Sequence, residues 1–225
     1  MAQVPIAELL TDITLLCREA PGIVLQGAYL RAARMFCGKT RWLQKPSAFT
    51  TEADKVVYTI PPPDEFTDVI GIHAASLTED GRKVDVLTEG YSGEWDPNQV
   101  TDTPRVPDSY QYVPEGQMAL YRTPNQAWQV NLTAVVQPKR DAPSIDATLV
   151  IAWDYALQAG ALMYLLNLAR TPWTDKVEAR AQEAKFVGLC NQAHMSMQRG
   201  FNAGAQTTDR AGSSSGAIRT RILPI

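Results

Sequence analysis

The last third of this chain is helical and apolar, and it constrains the fold more than any other segment. A run from Ser144 to Arg170 is rich in Leu and Ala and ends at Thr171-Pro172-Trp173. A second helical pattern follows and continues to about Arg199. Within the first run, Ala159-Gly160-Ala161 permits the close approach of another helix. The sequence therefore predicts two consecutive helices that pack against other helices.

The start of each of these two helices carries a local signal. Ser144 is the predicted N-cap of the first helix, with Asp146 placed favourably for the helix dipole. The second helix is predicted to start at Thr171-Pro172, with Pro172 near the first helical position and Asp175 in the first turn.

The N-terminal segment also has the periodicity of helices. Apolar residues recur at three-and-four spacing from Ile6 to Arg18, Pro21-Gly22 stops this pattern, and a second helix is predicted from about Ile23 to Trp42. Helices at both ends of the chain enclose the middle segment, so we expect the two ends to meet.

The middle segment, from Lys45 to about Asp141, is punctuated by Pro and Gly and contains short β-branched and aromatic runs. Thr88 to Asp108 is predicted to be a long surface loop or a partly formed turn, and a loop of this length is often an interaction element. The predicted strands are Ala48–Thr51, Lys55–Ile60, Asp68–Leu77, Lys83–Leu87, Tyr110–Val113, Gln117–Arg122 and Ala127–Gln137.

These patterns predict an α+β fold. The N- and C-terminal helices form a helical bundle with an inserted antiparallel β domain and an extended C-terminal arm. The predicted boundaries are 1–44 for the N-terminal helices, 45–143 for the β domain, 144–200 for the C-terminal helices and 201–225 for the arm.

The predicted arm is polar for most of its length, and residues 211–216 have the composition of a flexible linker. Its end is apolar and basic, which is unsuited to exposure on a free monomer. The predicted binding residues at this tip are Ile218, Arg219, Arg221, Ile222, Leu223 and Ile225.

Composition and charge exclude several classes of function. The net charge of −3, from 24 acidic and 21 basic residues, argues against a protein that wraps nucleic acid. The N-terminus lacks the pattern of a secretory signal. The apolar run from Ala156 to Leu168 is too short to span a bilayer. We therefore expect a soluble intracellular protein without a membrane partner.

The chemistry of an active site is missing from the sequence. The two histidines, His73 and His194, have no metal-ligand spacing, and no Gly-rich turn opens a helix after a strand. Asp64-Glu65 and Glu79-Asp80 resemble solvated turn carboxylates. The three cysteines, at positions 17, 37 and 190, are predicted to be buried reduced thiols. We expect neither an enzyme nor a bound cofactor or metal.

Aromatic and acidic residues suggest where partners bind. Trp42, Trp153 and Trp173 are expected in the helix core. Tyr91, Trp95 and Tyr110 flank or lie in the long loop and are candidates for contact with the tail or with another subunit, because aromatic residues are enriched at interfaces. A further acidic set either lines a conduit that repels DNA phosphates or is an ordinary solvated loop; its members are Asp80, Glu89, Glu94, Asp96, Asp102 and Asp108.

The order of several segments resembles the head-to-tail adaptor proteins of tailed bacteriophages, including tail tubular protein A and related connector proteins. The resemblance covers about residues 23–200. The segments that carry it are 30–42, LRAARMFCGKTRW; 57–61, VYTIP, with 69–72, VIGI; 116–121, GQMALY; 159–166, AGALMYLL; and 171–175, TPWTD.

This resemblance implies a structural protein of the virion neck, made in the host cytoplasm. It implies a ring of about twelve copies below the portal protein, which extends the channel for genomic DNA and presents a surface to a tail or nozzle protein. The arm would dock into the portal, with Arg219 and Arg221 pairing with portal carboxylates. Two alternatives remain open: a head-closure or tail-completion protein elsewhere in the neck, and a non-virion assembly or nucleic-acid-binding factor.

Overall fold

The computed structural model describes residues 2–79, 82–90 and 105–212 and shows a mixed α+β fold. The α+β class predicted from the sequence is confirmed. The described strands are β1 (Gln3–Pro5), β2 (Gln44–Thr50), β3 (Val57–Thr59), β4 (Thr67–Glu79), β5 (Arg82–Glu89), β6 (Ser109–Val113), β7 (Gln117–Tyr121), β8 (Gln129–Pro138) and β9 (Ser144–Asp146). The α-helices are α1 (Thr11–Leu16), α2 (Gly22–Thr40), α3 (Ala147–Leu166) and α4 (Lys176–Gly212).

Seven strands form one sheet in the order β2-β8-β4-β5-β6-β7-β3. All seven strands predicted from the sequence are present in this sheet. Its pairs are antiparallel except β5 and β6, which run parallel and pair at Thr88 with Ser109 and at Glu89 with Tyr110. The predicted antiparallel arrangement was therefore wrong at this one pair, in which only the last two residues of β5 pair with the first two of β6.

The edge strand β2 is longer than predicted. It starts at Gln44 rather than Ala48 and contains Pro46. Proline lacks an N–H donor, but an edge strand tolerates it since one side of the strand needs no partner.

A second, two-stranded sheet was not predicted. In this sheet β1 pairs antiparallel with β9, so that Val4 lies opposite Ile145. Each strand has three residues, too few to show a periodic pattern, and the pairing joins the N-terminal segment to the residues that lead into α3. Helix α2 contacts both α3 and α4, so the N- and C-terminal helices meet, as expected.

The first predicted helix, Ile6 to Arg18, is broken in the structure. A 3₁₀ turn occupies Ile6–Leu9, and α1 covers only Thr11–Leu16. The apolar spacing was correct for Ile6, Leu10 and Ile13, which are buried, whereas Leu16 is 60% exposed. The periodicity alone did not show that the backbone changes helix type at Leu10.

The start of α3 differs from the prediction. Ser144 belongs to β9, and the N-cap is Asp146, whose side chain accepts a hydrogen bond from the backbone N–H of Thr148 at 2.9 Å. A carboxylate at this position satisfies a free N–H group and interacts favourably with the helix dipole.

Both ends of α4 also differ from the prediction. The helix starts at Lys176, and Asp175 Oδ1 accepts hydrogen bonds from the N–H groups of Val177 and Glu178, each at 3.0 Å. Pro172 lies in the preceding loop. The helix continues past Arg199 to Gly212, so the first part of the predicted arm, residues 201–212, is helical.

The helices pack around α3, which contacts both α2 and α4, and α2 also packs against β8. At the crossing of the three helices lies Gly160. A methyl group added to its Cα would stand 2.9 Å from the Cβ of Ala32 and 2.9 Å from the ring of Phe186. The close approach predicted for Ala159-Gly160-Ala161 is confirmed.

An aromatic cluster links α2 to α3. Trp153 lies 5.4 Å from Phe36 and 5.2 Å from Trp42, between ring centroids. Its backbone has non-helical angles, φ −138° and ψ 16°, so α3 is kinked at this residue. Trp42, Trp153 and Trp173 are all partly buried against the core, as expected.

By length and composition alone, α3 is long and apolar enough to cross a membrane. The predicted apolar run, from Ala156 to Leu168, was too short to do so. However, 56% of its most apolar window is buried inside the protein. The core helix of a protein without a membrane passes the same test, so this property is weak support for a membrane span.

Candidate functional site

A buried ion cluster joins the large sheet to the start of α3. Lys45 on β2 is 2% exposed, and its Nζ lies 2.6 Å from Asp146 Oδ2 and 2.7 Å from Asp64 Oδ2. Asp146 is 1% exposed and Asp64 is 26% exposed at the side chain. Oδ2 of Asp146 has no hydrogen bond of regular geometry, so its contact with Lys45 is chiefly ionic.

The pKa values in this cluster reflect both burial and pairing. Burial, the largest influence, raises the pKa of Asp146, but the contacts with Lys45 and Thr148 outweigh it and hold the pKa below its usual value. The pKa of Asp64 is lowered in the same way, against burial, by Lys45 and Thr67. Burial lowers the pKa of Lys45, but Asp146 and Asp64 together raise it. All three groups are therefore charged near neutral pH.

The sequence did not reveal this cluster. Asp64 was expected to be a solvated turn carboxylate, and Lys45 marked only the beginning of the β segment. The expectation for Asp64 was wrong because its carboxylate is partly buried and pairs with Lys45 of β2. No signal within a local window identifies such a pair. A buried cluster whose lysine is paired with two carboxylates, one of them the N-cap of α3, has a structural role.

The two histidines lie at one cavity of about 530 Å³ between β4 and the C-terminal part of α4. His194 is 3.0 Å from Gln198, between Nε2 atoms, and Glu89 and Arg41 also line the cavity. Within the described residues, no group of three or more His, Cys, Asp or Glu side chains is arranged to hold a metal ion. Cys17, Cys37 and Cys190 are free and buried, as predicted.

The predicted binding residues have different outcomes. Tyr91 and Trp95 lie outside the described residues, as does the whole tip of the arm from Ile218 to Ile225. Tyr110 lies on β6 and is only 3% exposed. Its ring packs in the core of its own chain, so burial within the fold already accounts for this aromatic residue.

Two members of the acidic set lie in the described residues. Asp108 pairs with Arg122 at 3.1 Å, so part of its charge is offset. Glu89 is exposed at the end of β5. The remaining members, Asp80, Glu94, Asp96 and Asp102, lie outside the described residues.

The outer side of α3 exposes large apolar side chains. Ile151 is 85% exposed and Tyr155 is 61% exposed, and they lie on either side of the kink at Trp153. Lys185 of α4 lies over the Tyr155 ring at 3.4 Å from its centroid. Val177, at the start of α4, is 82% exposed. Large apolar side chains grouped on a surface indicate contact with another protein.

A helical layer that exposes large apolar side chains, together with an ion cluster whose role is structural, is typical of the class of proteins that assemble with other proteins. The comparison with known families agrees with this class. The sequence model of the SU10 adaptor protein family matches residues 5–220. The chain therefore belongs to the SU10 adaptor protein family. A search of curated proteins found no match.

The family consists of structural adaptor proteins of phages and is not a family of enzymes. As an adaptor, it is a component of the virion neck and interacts with portal and tail components. The resemblance to phage adaptors is thus confirmed at the level of the adaptor family.

Proposed function

We propose that this protein is a head-to-tail adaptor similar to tail tubular protein A, and that it forms a ring of about twelve copies beneath the portal. The ring extends the channel for genomic DNA and provides the surface to which the tail attaches. Helices α2, α3 and α4 form the bundle of each subunit. The family match over residues 5–220 carries this proposal.

The exposed face of α3 supports self-association. In the single chain, Ile151 and Tyr155 are each more than half exposed to water. Burying such side chains against a neighbouring copy stabilises a ring by about 1.5–3 kcal/mol for each residue that becomes fully buried. A ring repeats this contact at every subunit boundary.

The experiment that tests the function is quantitative mass spectrometry of purified virus particles. It measures the copy number of this chain relative to the portal subunit. We expect a ratio near one to one. A clearly lower ratio assigns the chain to another position in the neck, such as head closure or tail completion, and absence from particles supports a non-virion assembly factor instead.

The tip of the arm is the proposed contact with the portal. Deleting residues 213–225 removes this tip and leaves every described helix and strand intact, since α4 ends at Gly212. We expect the truncated protein to fold with unchanged helix content, measured by circular dichroism, and to lose portal binding, measured by co-sedimentation with purified portal.

A matched control keeps the length of the arm and replaces Ser213, Ser214 and Ser215 with glycine, and we expect it to bind the portal as the natural chain does. Unchanged portal binding by the truncated protein would refute the role of Ile218, Arg219, Arg221, Ile222, Leu223 and Ile225.

A further inference from the structure

A pocket lined by three arginines opens beside α2. It has a volume of about 460 Å³ and is lined by Gly27, Leu30, Arg31, Arg34, Met35 and Arg140. The five residues from α2 share one helix face, since they are spaced by three and four. Arg140 comes from the connection between β8 and β9. The described residues that line this pocket include no acidic side chain.

Two of the arginines are held in position by their neighbours. The guanidinium of Arg31 lies over the ring of Tyr164 on α3, at 4.6 Å from the centroid. Arg34 Nη1 donates to the carbonyl of Pro138 and pairs with Asp68 at 3.2 Å. A ligand therefore binds guanidinium groups that have already lost much of their freedom, which lowers the entropy cost of binding.

The pocket carries an uncompensated positive charge. Asp68 offsets the charge of Arg34, whereas Arg31 and Arg140 have no ion-pair partner among the described residues. This local excess stands out on a chain whose net charge is −3. Guanidinium groups bind carboxylates through paired N–H donors.

We propose that this pocket, the α2 arginine pocket, binds the carboxylate side chains of an acidic segment of another protein. The volume fits a few side chains rather than a nucleic-acid duplex. Leu30 and Met35 add an apolar part to the lining, which suits a segment that alternates acidic and aliphatic residues. This inference does not depend on the ring or on the portal.

The structure provides two independent ways to disable the pocket. Arg31→Gln combined with Arg140→Gln removes both unpaired charges. Gly27→Leu keeps the charges but places a side chain in the opening, and a Cβ at Gly27 meets no atom within 4 Å, so the fold tolerates it. The matched controls are Arg180→Gln and Gly188→Leu, which lie on α4, outside the pocket.

The test is a fluorescence anisotropy titration of the purified full chain with a labelled, terminally blocked peptide of alternating Glu and Leu. We expect saturable binding that weakens by about tenfold or more in the double arginine variant, since losing a charged hydrogen-bonding partner costs at least about 1.5 kcal/mol. We expect Gly27→Leu to weaken binding as well, because its side chain occupies the opening. The controls bind as the natural chain does, and a peptide with Gln in place of Glu does not bind.

Two results with the acidic peptide would overturn the proposal: no saturable binding, or equal binding by the pocket variants and the natural chain. A third would be binding of a short DNA duplex instead of the peptide, if the pocket variants abolish it. The last result would assign the pocket to phosphate. None of these results bears on the copy number in virus particles, so the two proposals fail separately.

Discussion

Replacing Asp146 with alanine is expected to lower the free energy of unfolding by about 3–5 kcal/mol. The change leaves Lys45 at 2% exposure with only the carboxylate of Asp64, which is 26% exposed, to offset its charge. It also removes the N-cap of α3, where Asp146 binds the N–H of Thr148. Chemical denaturation followed by circular dichroism measures the loss.

Asp175→Ala is the matched control, because Asp175 caps α4 in the same manner but has no ion-pair partner among the described residues. Loss of an exposed cap costs about 0.5–2 kcal/mol. Equal losses for the two variants would show that the ion pair with Lys45 contributes nothing beyond the cap.

The pH dependence of this difference follows from the direction of the pKa shifts. The folded-state pKa values of Asp146 and Asp64 lie below their usual values, so their stabilisation is present above the unfolded pKa, about 3.9, and is lost as pH falls through the lower folded value. The difference between the natural chain and Asp146→Ala should therefore shrink below about pH 4.

Replacing Gly160 with leucine is expected to destabilise the protein by about 3 kcal/mol, at the upper end of the cost of overpacking a core. Even a single methyl group at this position lies 2.9 Å from Ala32 Cβ, which is fixed to the backbone of α2, and 2.9 Å from the ring of Phe186. The three helices must move apart to admit the side chain. Thermal and denaturant unfolding both report the change.

Gly188→Leu is the control for this second prediction. Gly188 also lies in a helix, but a Cβ there meets nothing within 4 Å. Leucine favours the helix over glycine by up to about 1 kcal/mol, so this variant should be slightly more stable than the natural chain. An equal gain in stability for Gly160→Leu would contradict the close packing of α2, α3 and α4 at Gly160.

Local patterns in the sequence predicted most of the secondary structure. Helix α2 and the seven strands of the large sheet follow from apolar spacing within one segment, and α3 follows from a long apolar run. The errors lie where the decisive partner is distant. Ser144 was predicted as a cap because serine suits that position, but pairing with β1 makes it part of a strand and leaves Asp146 to cap α3.

The candidate surfaces were less predictable than the fold. Tyr110 was expected at an interface because of its residue type and its place next to the long loop, whereas the core of the sheet buries it. Ile151 and Tyr155 have the residue types of core positions, yet the packing of α3 leaves them exposed. Residue type does not determine which side of an almost uniformly apolar helix faces the core.

The sequence by itself determined the order of helices and strands, the α+β class, the close approach at Gly160 and the resemblance to phage adaptors, since these depend on short segments and their order. The tertiary structure alone brought Lys45 to Asp64 and Asp146, both histidines to one cavity, and Arg140 to Arg31 and Arg34. These groups are far apart along the chain, and only the folded path of the backbone places their charges within reach of one another.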